Sequence, residues 1–196
     1  MAPGSETPIG VNRAERSSEP QTAGAIGPGP IEQALQGFHE ASYGWALACC
    51  SGNRHEAEEV LQTSYLKTLQ GRARFNGHST LRTWFFGVVR RTAAEQRRYR
   101  AVRRLALMRW LARRPAADPV PTPEHLSSDG EASRRVRSLL SRLSPRQSEM
   151  LHLVFYQELT IEEAADVLHL PVGTARTHYE RGKARLKLLL SAAGGS

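Results

Sequence analysis

The chain has little cysteine, and what it has is poorly placed. Only Cys49 and Cys50 occur, side by side. Adjacent cysteines are badly set to bridge each other, so no disulfide framework is expected and a reducing, cytosolic setting fits. Long apolar runs are also missing. No stretch of ~18 apolar residues occurs, which excludes a transmembrane helix. Residues 1–30 lack a basic start followed by an apolar core, so no secretory signal is expected. There is no internal repeat and no alternation of useful length to suggest strands. No phosphate-binding glycine loop, metal-spaced Cys/His set or serine-nucleophile motif occurs. The acid pairs Glu58-Glu59 and Glu162-Glu163 stand far apart in the chain, on helices where they have capping or surface duties. Metal-dependent cleavage of nucleic acid wants its acids clustered. No catalytic residue, metal ligand or cofactor is therefore expected.

What the chain does have is arginine, and it is concentrated. The 196 residues carry 27 basic and 19 acidic side chains, a net charge of +8. Between positions 90 and 114 there are ten arginines against one acid, Glu95. That block holds more positive charge than the whole chain's net. Such density points to a polyanion, and the planar fork of arginine suits phosphate.

Composition divides the chain into segments. Residues 1–30 are rich in Gly, Pro, Ser and Ala and read as a disordered tail. Residues 31–113 form a first folded block. Residues 114–130, with Pro115, Pro119, Pro121 and Pro123, read as an extended, semi-stiff linker. Residues 131–191 form a second block, and 192–196 a frayed end. Both blocks read as helical, so the expected fold is all-α: two small helical domains joined by a Pro-rich tether.

In the first block Ala57, Val60, Leu61, Tyr65 and Leu69 share one helix face. Gly52 suits a helix stop. Asn76-Gly77 marks a turn, and Ser79 is placed to cap a helix carrying Leu81, Trp84, Phe85, Val88 and Val89. In the second block Ser144-Pro145-Arg146-Gln147 reads as a capping box with proline at the first helical position. Met150, Leu151, Val154 and Phe155 are its expected buried stripe. Thr160 and Glu163 form a second capping box, opening a short helix with Ile161, Ala164, Ala165 and Leu168 inward. Leu170-Pro171-Val172-Gly173 then makes a tight break, and a third helix runs through Arg185 toward Leu190. A short helix, a break and a helix with polar outward positions make a helix-turn-helix.

A groove-reading helix needs small or polar residues near its start. Thr174, Arg176, Thr177 and His178 meet that need, while Ala175 and Tyr179 face the core. His178 stands open between base contact and bystander. Arg181, Lys183 and Arg185 are in reach of phosphates. In the first block, Phe75 to Phe86 combines aromatics, small polar residues and a turn just ahead of the arginine block. Aromatics beside arginines suit single-stranded nucleic acid, where bases stack and phosphates are neutralised. Phe85 and Val88 are assigned to the core, and the polar loop 76–80 to function.

These motifs, taken in order, resemble a bacterial RNA polymerase sigma factor of the sigma-70 family, extracytoplasmic-function type. The resemblance rests on Glu56-Ala57-Glu58-Glu59-Val60-Leu61-Gln62, on Phe75-Asn76-Gly77-His78-Ser79-Thr80-Leu81-Arg82-Thr83-Trp84, on Leu143 to Gln147 and on Leu170 to Thr174. It implies a non-catalytic specificity subunit that binds core polymerase, at the β′ clamp helices and β flap, and promoter DNA. An anti-sigma factor is an open further partner; no membrane is implied. Glu58, Glu59, Gln62 and Leu66 match the segment that docks on the clamp helices. Phe75, Asn76, His78, Ser79, Thr80, Arg82 and Trp84 match the segment that captures a base flipped from the melting −10 element. Arg90, Arg91, Arg97 and Arg98 match the stretch that tracks the −10 region. Thr174, Arg176, Thr177, His178, Arg181 and Lys183 match the helix that reads the −35 element. The Pro-rich linker matches a segment threaded toward the RNA exit path. The chain departs from the family pattern at Thr63, Arg91, His178 and Gly182. A free-standing helix-turn-helix regulator is the alternative; it would need a dimerisation surface, for which the chain shows no heptad.

Overall fold

The computed structural model describes residues 28–111 and 138–193. The first module consists of α1 (Pro28–Gly37), α2 (His39–Cys49), α3 (Arg54–Leu69) and α4 (Leu81–Leu111). The second consists of α5 (Pro145–Leu151), continued by a π-helical turn (His152–Tyr156), then α6 (Ile161–Leu168) and α7 (Val172–Ala193). Every regular element among the described residues is helical. The expected tail up to position 27 and the linker 114–130 lie outside them. α1 starts at Pro28, inside the expected tail, and α7 runs on to Ala193.

Local chemistry sets the helix ends. The stop after α2 is a left-handed pair, Ser51 and Gly52, with φ of 55° and 83°. Asn53 then caps α3, its side chain accepting from the Glu56 amide at 3.1 Å. The cap of α4 is Thr80 rather than Ser79: the Thr83 amide donates to Thr80 Oγ1 at 3.1 Å. Thr80 directly precedes the first helical residue, so its oxygen meets the orphan amides. Both capping boxes expected in the second module are formed.

The core of the first module gathers Trp45 of α2, Val60 and Leu61 of α3, and Phe85, Phe86, Val88 and Val89 of α4. Trp45 is fully enclosed, and its Nε1–H donates to the Phe86 carbonyl at 3.0 Å. The second module does not keep a core to itself. Met150, Leu153, Ala164, Ala165, Val167, Leu168 and Ala175 belong to the same buried cluster. A smaller cluster of Leu143, Leu151 and Leu189 lies between α5 and α7. Two heads held only by a tether were expected; the heads instead share a seam. A Cβ on Gly87 would come 3.9 Å from the Val167 carbonyl oxygen, and one on Gly44 3.5 Å from the Gln157 amide nitrogen.

One expected core residue is turned out. Phe155 is 60% exposed. The Gln157 amide bonds back to the His152 carbonyl, five residues earlier, so this turn holds more residues than an α-turn. The phase shifts, Leu153 takes the inward place, and Phe155 stacks on Tyr179 with centroids 5.7 Å apart.

Candidate nucleic-acid interface

α7 presents the first surface. Ala175 is buried and anchors its start, while Thr174, Arg176, Thr177 and Arg181 are exposed and His178 is half-buried. The helix begins after His169, which ends α6 in a left-handed conformation with φ of 52°. Thr177 Oγ1 donates to the Gly173 carbonyl at 2.9 Å, which steadies the exposed first turn. Arg176 stands 3.6 Å from Glu162 with both side chains mostly in solvent, so the pair constrains it little. Lys183 differs. Its Nζ lies over the Tyr179 ring and beside Glu180, so it is already engaged on its own helix.

The second surface is a cavity of about 760 Å³ beside α4. Asn76, His78, Ser79, Thr83, Trp84 and Arg91 line it, together with Lys67 of α3. Gly77, with φ of 77°, turns the loop that carries Asn76 and His78. Phe75 packs edge-on against Trp84, centroids 5.5 Å apart, and so braces the aromatic wall. An unstacked base could lie against Trp84 while Asn76 offers amide groups to its edge.

The cavity brings together Asn76, His78, Ser79, Trp84 and Arg91 from the loop and helix that the sequence singled out. Five of the other assigned residues lie elsewhere. Thr80 caps the helix. Arg82 turns into the seam, donating to the Gln157 carbonyl at 2.9 Å. Arg90 also turns inward and grips both carboxylate oxygens of Glu149. Arg97 donates to the Cys49 carbonyl at 3.3 Å, and Arg98 is exposed.

Lys67, Gln157, Asp166 and His169 were not singled out, and the fold places all four at or beside the cavity and seam. Lys67 Nζ reaches Thr92 Oγ1 at 3.2 Å and Glu95 at 2.5 Å. Read from sequence, it is only a cation in the last turn of a helix, where the macrodipole alone would explain it. Asp166 and His169 wall the cavity from the second module.

The outer face of α3 is the third surface. Glu58, Gln62 and Leu66 are exposed, with Leu66 at 54%. Glu59 is half-buried and tied to Arg100 and His55. Thr63, where the family pattern has an acid, accepts from Gln96 Nε2 at 3.2 Å. Among the described residues no group of three or more His, Cys, Asp or Glu side chains is arranged to hold a metal ion. No helix among them is long and apolar enough to cross a membrane.

Comparison with known proteins bears on these surfaces. The family model "Sigma-70 region 2" matches residues 38–104, and "Sigma-70, region 4" matches residues 133–186, together more than half of the chain. The chain is 26% identical over 160 residues to the ECF RNA polymerase sigma factor SigC of Mycobacterium tuberculosis, covering 77% of this chain and 80% of that protein. It is 28% identical over 131 residues to the RNA polymerase sigma factor YlaC of Bacillus subtilis, covering 67% and 75%. Its fold is similar to the sigma factor RpoE of Bartonella quintana, solved with the anti-sigma factor NepR, at a TM-score of 0.63 and 22% identity, covering 83% of this chain and 97% of that one. The first module is thus region 2 and the second region 4, and the chain belongs to the sigma-70 family of RNA polymerase sigma factors, in its extracytoplasmic-function group.

Proposed function

We propose that this chain directs core RNA polymerase to promoters, with α7 reading the −35 element in the major groove and the cavity beside α4 receiving a base from the melted −10 element. The observation that carries this reading is the pairing of two unlike nucleic-acid surfaces in one small chain. One is a helix start with small and forked polar side chains for base edges; the other is an aromatic-walled cavity beside an arginine-rich helix. A lone helix-turn-helix regulator has use only for the first. The exposed face of α3, with Glu58, Gln62 and Leu66, is the surface assigned to the β′ clamp helices, and region 4 to the β flap. The chain supplies specificity and no chemistry of its own, and works beside polymerase in the cytoplasm.

Energetics support a need for the larger enzyme. Unstacking costs a few kcal/mol per flipped base, and an aromatic platform returns about 1–3 kcal/mol. The two nearly cancel, so opening a duplex requires the contacts that polymerase adds. Anti-sigma factors hold the structural relatives, and a partner of that kind is proposed here by similarity.

Co-precipitation with core polymerase, followed by run-off transcription on genomic fragments, tests the reading. Arg176→Ala is expected to abolish promoter-selective transcripts while the polymerase complex persists, because a bidentate arginine–guanine contact is worth about 1–3 kcal/mol. Loss of both together would overturn the role given to α7.

A further inference from the structure

The far end of α4 carries apolar side chains that the fold leaves in water. Tyr99, Val102, Leu105, Leu107, Met108 and Trp110 are each at least half exposed, and every residue from 101 to 110 is exposed. A single exposed apolar residue is ordinary; this many on one short stretch of helix make a patch. The promoter reading gives them no work, because a phosphate backbone has no use for Val102, Leu105 or Met108.

Charge on the same stretch is one-sided. Positions 96–117 hold eight arginines and no acid. Arg100 is engaged by α3, at 2.6 Å from Glu56 and 2.5 Å from Glu59, whereas Arg98, Arg104 and Arg109 are exposed.

Helical spacing sorts the two kinds of side chain. At about 100° per residue, Arg103, Arg100 and Arg104 fall within an arc of ~100°, with Leu107 among them. Met108, Leu105, Val102, Ala106, Tyr99 and Trp110 sweep the other side, an arc of ~200°. Arg109 interrupts that arc in the last turn, where a long stem can lie along an apolar surface while its guanidinium rises to water. Because Arg100 points at α3, the middle of the apolar arc, half a turn around the helix, points away from the module. Tyr99 and Trp110 stand at its border beside Arg103, whose guanidinium lies 5.7 Å from the Tyr99 ring centroid. Aromatic rings between an apolar face and a row of cations suit a helix lying in a membrane interface, with the rings at headgroup depth.

The same features decide between occupants. Nucleic acid would take the arginines and leave the apolar arc wet. A second copy of this chain would bring its own arginines against these. An anionic bilayer takes both, its headgroup phosphates meeting the cations and its acyl chains the apolar arc. No helix among the described residues is long and apolar enough to cross a membrane, so the contact is one of lying on the surface.

We propose that residues 99–110 of α4 are a docking surface for an anionic lipid bilayer. The family resemblance implies no membrane; this surface belongs to the chain's own residues.

The test uses the full chain and unilamellar vesicles of phosphatidylcholine, alone or mixed equally with phosphatidylglycerol, with bound protein read by co-sedimentation. Binding to the anionic vesicles is expected to be at least about tenfold tighter than to the neutral ones. Tryptophan emission should shift to the blue as Trp110 leaves water, since Trp45 is already enclosed. Trp110→Phe should lose most of that shift and still bind within about twofold, phenylalanine being as apolar. Leu105→Gln/Met108→Gln keeps every charge and should weaken binding to the anionic vesicles about twentyfold. Its thermal midpoint and its affinity for a labelled DNA duplex should stay unchanged, which separates lost docking from misfolding. Arg103→Gln/Arg104→Gln should weaken vesicle binding about thirtyfold, at about fivefold per cation. A chain that ignores anionic vesicles, or binds neutral ones equally well, overturns the proposal. So does undiminished binding by Leu105→Gln/Met108→Gln, which would reduce the contact to the charge-only encounter that any polyanion gives. A chain that docks on vesicles as described but ignores core polymerase sinks the promoter reading and leaves this surface standing.

Discussion

A methyl group added at position 182 would meet Gln147 Cβ at 3.2 Å and Leu151 Cγ and Cδ1 at 3.3 Å. From sequence alone, Gly182 is a weakness: glycine inside a helix costs up to ~1 kcal/mol against alanine. In the fold it is the point where α7 presses against α5. Overpacking of a tight contact costs about 1–3 kcal/mol, which outweighs the propensity gained. Gly182→Ala is expected to lower stability by about 1 kcal/mol in urea unfolding; a stabilised variant would show that α5 and α7 can move apart freely. The same scale explains what sequence could and could not reveal. Ala175 could be placed in the core, and Trp84 and Asn76 beside one turn, because those positions depend on near neighbours in the chain. Arg90 could be marked as a phosphate ligand from its charge, but nothing local ties it to Glu149, 59 residues away.

At the scale of elements, the helix-turn-helix was legible because its punctuation is local. Ser144 and Thr160 announce α5 and α6 through reciprocal bonds that span three residues. Thr160→Ala removes an acceptor for the Glu163 amide and frees the Glu163 carboxylate from its returning bond with the Thr160 side chain. Loss of such a cap costs about 1 kcal/mol, and denaturant unfolding of the full chain should show it. An unchanged midpoint would mean that packing of α6 against α4, rather than its cap, holds the helix start. The π-helical turn after α5 was not legible. Its cause lies in the seam, where Gln157 must turn inward to meet Arg82 and His152 must reach Trp45. The expected stripe ended one residue out of phase as a result, and Phe155 was assigned inward.

At the scale of the whole molecule, the docking of the modules was the part the sequence hid. Two amphipathic modules with a proline-rich tether are compatible with separate or joined cores, and no periodicity distinguishes them. The joined state has a pH signature. His152 stacks on Tyr156 and packs against the tilted Trp45 ring, with centroids 5.2 and 5.4 Å away, and burial lowers its pKa to about 4 from 6.5. Its ring faces Gln157, which Arg82 holds, and Glu149 lies one turn earlier on the same helix. Above about pH 7.5 the ring is neutral in both folded and unfolded chains and contributes no pH dependence. As pH falls from there toward 4, the unfolded chain takes up a proton that the folded one refuses, so stability falls by up to ~3 kcal/mol. His169 acts in the same sense, its pKa lowered by burial and then by Arg91 and Arg90. Glu149, whose pKa is raised, acts in the opposite sense. Thermal unfolding of His152→Phe against the unaltered chain isolates the ring: the variant should lose less stability between pH 6.5 and 5, and parallel curves would refute the assignment.

α4 runs 31 residues without a break, about 46 Å at ~1.5 Å per residue. One end frames the cavity and carries region 4; at the other, residues 101–110 are exposed throughout. Such a rod is a lever arm. Whatever grips its far tip gains mechanical advantage over the seam at its base, so force applied far from any base edge is felt at the cavity.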